Sequence, residues 1–98
     1  MATPSHTDLT GKRILVTGGT TGIGRATLLL LAQSGARVLT FGRHRDALDE
    51  ALAAAGEGEG EVYGLTADAA TRDGIEQVFA EVDARLGGID MLVACAAR

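Results

Sequence analysis

Glycines stand at positions 18, 19, 22 and 24 of the turn Thr17-Gly18-Gly19-Thr20-Thr21-Gly22-Ile23-Gly24. Glycine reaches positive φ without strain, and its missing Cβ lets a ligand approach the backbone closely. The residues before the turn, Arg13-Ile14-Leu15-Val16-Thr17, are a short apolar run rich in β-branched side chains, which reads as a buried strand. From Gly22 to Ser34 the apolar residues Ile23, Ala26, Leu30 and Leu31 recur at roughly helical spacing, and Gly35 follows as a terminator. The free N–H groups and the dipole at the start of such a helix favour an anion. Thr20 and Thr21 add hydroxyl donors. The same glycines would also serve a tight turn with no ligand. Their place between a strand and a helix inside a βαβ unit decides for phosphate binding. The expected contacts to a dinucleotide pyrophosphate are Gly18, Thr20, Thr21, Gly22, Ile23 and Gly24.

The rest of the chain must hold that turn in place. Residues 37–41 form a second strand, and Asp46 to Ala55 a second helix with Leu48 and Leu52 on one face. The run Gly56-Glu57-Gly58-Glu59-Gly60 is a solvated loop. Residues 61–67 are a third strand. Thr71 caps a third helix, in which Ile75, Val78, Phe79, Val82 and Leu86 make the best amphipathic stripe in the chain. Gly87-Gly88 ends it, and residues 89–95 form a fourth strand. The order β-α-β-α-β-α-β predicts an α/β fold: a Rossmann-type, doubly wound parallel sheet, here of four strands where six or more are usual. Residues 1–10 read as a flexible leader and 11–98 as a partial nucleotide-binding domain.

Composition excludes several classes. The net charge of −4 disfavours nonspecific nucleic-acid binding, and three aromatic residues offer no stacking platform. A single cysteine, Cys95, permits no internal disulfide and fits a reducing compartment. The polar start, Met1 to Asp8, has no signal pattern, and the apolar run Leu28 to Ala32 is far short of the ~20 residues of a membrane span. A cytoplasmic protein without a metal site is expected.

The spacing Thr17-Gly18-x-x-x-Gly22-Ile23-Gly24 resembles the fingerprint of the short-chain dehydrogenase/reductase family, NAD(P)-dependent oxidoreductases. That resemblance implies roles for three further places. The end of the second strand would meet the adenosine ribose, where an NAD-specific site holds an acidic residue. Here Gly42 is followed by Arg43, with His44 and Arg45 close by. A small residue and then a guanidinium suit a 2′-phosphate, so NADP(H) is expected over NAD(H), with Arg43 as its contact. Asp68, with Ala69, stands where the family contacts adenine, although Asp is equally at home in a turn. Cys95, Ala96 and Ala97 occupy the place of the family's Asn-Asn-Ala-Gly, and only Ala96 matches it. Small residues there leave room for the cofactor. Cys95 reads more simply as a small buried hydrophobe.

The family's proton relay is a Ser, a Tyr and a Lys, the last two spaced Tyr-x-x-x-Lys. The only tyrosine is Tyr63, and position 67 is Ala. The only lysine, Lys12, precedes the first strand; the serines are Ser5 and Ser34; asparagine is absent. No catalytic residue is expected in this chain, and the chain alone is expected to be inactive. The first reading is an amino-terminal, cofactor-binding fragment of an NADP(H)-dependent oxidoreductase, whose carbonyl or alcohol substrate is met only in the complete protein. The alternative is a stand-alone NADP(H)-binding or sensing module acting with a partner chain. The fourth strand, with Ile89, Met91, Leu92 and Val93, is an apolar edge expected to promote self-association, which leaves a homo-oligomer open.

Overall fold

The computed structural model describes residues 9–18, 22–56 and 60–94. In chain order the elements are β1 (Arg13–Thr17), α1 (Gly22–Gln33), β2 (Arg37–Gly42), α2 (Arg45–Ala55), β3 (Glu61–Thr66), α3 (Arg72–Arg85) and β4 (Met91–Ala94). All strand pairs are parallel, and the sheet order is β3-β2-β1-β4. Alternate strand residues point to opposite faces. Ile14, Val16 and Val38 therefore join Leu28, Leu31 and Ala32 of α1 and Ala51 and Ala55 of α2 in one core. Leu15 and Leu39 meet Val78, Val82 and Leu86 on the other face, under α3. Helices on both faces make the sheet doubly wound. Successive strands run outward from β1 to β3, and the chain then returns to place β4 on the far side of β1. The boundary between β1 and β4 is thus a switch point, where open α/β sheets bind ligands at the carboxyl ends of their strands.

α1 buries a different face from the one its sequence implies, whereas α3 buries Val78, Val82 and Leu86 of its expected stripe and leaves the other two residues partly uncovered. In α1 the buried residues are Gly24, Leu28, Leu31 and Ala32, whereas Ile23 is 83% and Leu30 56% exposed. The run Leu28 to Ala32 is apolar on every side, so periodicity cannot choose the inner face; packing on β1 and β2 does. In α3, Val78 and Val82 are buried, while Ile75 and Phe79 are about half exposed. The opposite flank of α3 meets β3, where Arg85 lies 5.5 Å over the Tyr63 ring. Ile75 and Phe79 are left uncovered, and Leu92 of β4 is exposed as well.

β4 begins at Met91, two residues later than expected, because Asp90 turns its side chain onto Arg13; the expected end at Cys95 lies outside the described residues. Its carboxylate accepts from the Arg13 backbone N–H at 2.9 Å and from the guanidinium at 3.0 and 3.1 Å. The Asp90 N–H donates in turn to the Arg13 carbonyl at 2.7 Å. These bonds, first those from the Arg13 side chain, hold the Asp90 carboxyl well below the usual carboxylate range, and Asp90 raises the Arg13 guanidinium. A depressed acid stabilises the fold above its ordinary pKa and loses that effect as pH falls through the folded value. Asp90→Asn should therefore lower the melting temperature at pH 7, with the gap to the parent closing as pH falls below 3.8, the ordinary value. Parallel melting curves from pH 7 to pH 2 check this; a constant gap would remove the charge from the explanation.

Candidate functional site

The strand register brings the carboxyl ends together. Thr17 lies beside Phe41 on one side and Ala94 on the other, and Gly42 lies beside Thr66. Gly18 follows β1 with φ 72°, and Gly22 opens α1 with φ 61°. Side chains rarely adopt these conformations, so the turn requires glycine at both places. Among the described residues a Cβ at Gly22 would meet nothing within 4 Å, which leaves the backbone there uncovered by them. Gly24 is buried within the first turn of α1. That first turn holds no acidic residue, so no side-chain carboxylate offsets the positive end of the helix. Gly19, Thr20 and Thr21 lie outside the described residues, as do Cys95, Ala96 and Ala97. Ile23 is described, and it is exposed.

Arg43 follows β2 directly and is exposed. Arg13, Arg25, Arg37, Arg45 and Arg85 are each paired with a carboxylate. Among the described residues Arg43 has no such partner, so its guanidinium is available to an incoming anion. Arg45 is instead turned to Asp49 at 3.5 Å, one helical turn on. His44 is the N-cap residue of α2 and makes no side-chain cap bond.

Asp68 is half-buried beyond the end of β3, which stays tied to β2 by Ala67 N–H donating to the Gly42 carbonyl at 3.0 Å. One Asp68 carboxylate oxygen accepts from Ala70 N–H at 2.9 Å, which is the turn role. Thr71 caps α3 as expected, accepting from Gly74 N–H at 3.0 Å. Ala69 is exposed beside it. Thr40 was not singled out in the sequence, yet it is the one polar residue within the described core; its hydroxyl donates to the Val16 carbonyl at 2.9 Å, linking β2 to β1 just before the turn.

The residues that resemble a proton relay by type are elsewhere. The Tyr63 hydroxyl donates to Glu61 at 2.8 Å, toward the amino-terminal edge of the sheet. That bond, ahead of the one from Arg37, lowers the Glu61 carboxyl below its usual range. Lys12 precedes β1; six residues of strand at ~3.3 Å each put it ~20 Å from Gly18. Among the described residues no group of three or more His, Cys, Asp or Glu could hold a metal, and no helix is long and apolar enough to cross a membrane.

The parallel sheet, its switch point and the glycine turn define an α/β protein of Rossmann type. Comparison with known proteins places it more closely. The family described as short chain dehydrogenase matches residues 12–98. Glucose 1-dehydrogenase of Gluconobacter oxydans is 38% identical over 96 residues, covering 95% of this chain and 35% of that enzyme. The crystal structure of glucose dehydrogenase of Caenorhabditis elegans in the apo-form superposes with a TM-score of 0.82 at 35% identity, over 92% of this chain and 39% of that one. A variant of actinorhodin polyketide ketoreductase, crystallised with NADPH, gives 0.83 at 36% identity over the whole of this chain and 36% of that one. The chain belongs to the short-chain dehydrogenase family. It spans about a third of the length of the curated relatives it matches.

Proposed function

We propose that this chain is the cofactor-binding part of an NADP(H)-dependent short-chain oxidoreductase acting on a carbonyl or alcohol. The observation that carries the reading is the glycine turn at the switch point: left-handed Gly18 and Gly22, a Gly22 that no described residue covers, and no acid in the first turn of α1. These features fit a pyrophosphate. Gly18, Gly22 and Gly24, with Thr20 and Thr21, would hold it; Arg43 would meet the 2′-phosphate, and Asp68 and Ala69 the adenine. Ala94 to Ala97 would border the nicotinamide half. When bound, the dinucleotide supplies a hydride donor or acceptor.

The residues of this chain bind and orient; they move no proton. Tyr63 is held by Glu61, and Lys12 lies at the opposite edge of the sheet from the turn. The same observation suits a second reading, a stand-alone module that binds or senses NADP(H) and acts with a partner chain. The test is a fluorescence titration of the chain with NADPH beside a turnover assay on a panel of aldehydes and ketones. Binding without turnover is expected. Turnover lost on Tyr63→Phe would overturn the assignment of chemistry elsewhere, and absence of NADPH binding would overturn the function itself.

A further inference from the structure

We propose that Gly74 and Thr71 are positioning residues for the adenine end of the nucleotide site, acting through Asp68. The inference rests on the nucleotide reading above and goes beyond it. Glycine inside a helix is disfavoured relative to alanine, so its presence at the third position of α3 needs a reason. The reason is contact. A Cβ at Gly74 would overlap the Asp68 carbonyl oxygen, and would stand 2.7 Å from its carbonyl carbon and 2.9 Å from Thr71 Oγ1. The first two are backbone atoms, so no change of rotamer relieves the clash; either the turn or the helix must move.

The two are already one hydrogen-bonded unit. The Asp68 carbonyl accepts from Thr71 N–H at 3.1 Å and from the Thr71 hydroxyl at 3.0 Å. Thr71 Oγ1 accepts from Gly74 N–H at 3.0 Å, and the Asp68 carboxylate accepts from Ala70 N–H at 2.9 Å. On the other side, Ala67 N–H is fixed to the Gly42 carbonyl beside Arg43. The segment Asp68-Ala69 is therefore clamped between the end of β2 and the first turn of α3. The closeness that Gly74 permits sets how far Asp68 stands from Arg43, and so the width of the slot an adenine would enter.

The test uses the intact protein and three probes. These are NADPH; 2′,5′-ADP, which has the adenosine end alone; and reduced nicotinamide mononucleotide, which lacks it. Gly74→Ala should weaken the first two about tenfold, the effect of misplacing one hydrogen-bonding group, and leave the third unchanged. Thr71→Val should reproduce that pattern, and Thr71→Ser, which keeps the hydroxyl, should restore parent affinity. Equal weakening of all three probes would show a merely structural role and overturn the proposal. Parent-like 2′,5′-ADP affinity in Gly74→Ala and Thr71→Val would overturn it too. Where Gly74→Ala fails to fold, the Thr71 pair decides alone. If the parent itself fails to bind 2′,5′-ADP, or Asp68→Ala binds it unchanged, the adenine reading falls first and the positioning role with it.

Discussion

Valine at position 22 is expected to abolish dinucleotide binding, with NADPH affinity falling at least about a hundredfold. Two effects act, and they can be separated. Gly22 has φ 61°, which costs an L residue about 1–2 kcal/mol and a β-branched one more. That cost falls on the fold and should lower the melting temperature by roughly 4–8 °C per kcal/mol in a domain of this size. The second effect falls on the ligand. A Cβ at Gly22 touches nothing within 4 Å among the described residues, so the added isopropyl group is expected to stand in the space through which a phosphate would reach the N–H groups of α1. Gly22→Ala shares most of the backbone cost with far less bulk, and should lose stability while keeping part of the affinity. Gly18→Val, at φ 72°, should behave like Gly22→Val. Fluorescence titration beside thermal melts reads both effects. A folded Gly22→Val chain that binds NADPH as the parent does would end the pyrophosphate assignment.

What could be read from the sequence was local, and what could not be read was mostly long-range. β1 is set by its β-branched run and the glycines after it, and it spans Arg13–Thr17 as the sequence implies. α1 ends at Gln33, one residue before the expected Ser34. β2 extends one residue further, through Gly42, in register with Thr66. The parallel order follows from alternating elements alone. The side on which each helix lies does not. The apolar residues Ile75, Phe79 and Leu30 belong to their helices' apolar stripes and yet stay about half exposed, because periodicity alone does not say which residues of a broad apolar stripe the sheet covers.

The clamp between Arg13 and Asp90 joins residues 77 positions apart and leaves no local signal in either segment. Thr40 is likewise invisible before its strand is paired, since a lone threonine in a strand is common. Gly74 did leave a signal, a glycine where the amphipathic stripe calls for a helix former, but its cause is the carbonyl of Asp68 against the helix. In the glycine turn, residue type and position could be read together because the chemistry depends on backbone shape, and glycine is how a sequence writes backbone shape. Arg43 stands between these cases. Its type and its place after β2 are written in the chain, but the absence of a carboxylate partner among the described residues becomes visible only in three dimensions.

That absence makes cofactor preference the sharper test of Arg43. The parent is expected to prefer NADPH over NADH by roughly ten- to a hundredfold, the value of one charge-assisted hydrogen bond of about 1.5–3 kcal/mol. Arg43→Leu should remove most of that preference by weakening NADPH, with little change for NADH. Arg45→Leu is the control: Arg45 is another exposed arginine of the same loop region, but its guanidinium is turned to Asp49, so the preference should persist. Gly42→Asp tests the opposite effect. Gly42 is not among the left-handed glycines, so aspartate is compatible with its backbone. A carboxylate there would repel the 2′-phosphate and accept from the 2′-hydroxyl of NADH, reversing the preference. All four proteins should be titrated at one moderate ionic strength, because salt screens the exposed charges and would compress the differences. If the parent binds the two cofactors equally, Arg43 belongs to the solvated surface. If Arg43→Leu and Arg45→Leu lose the preference to the same degree, the discrimination comes from the summed positive field of the loop rather than from one placed guanidinium.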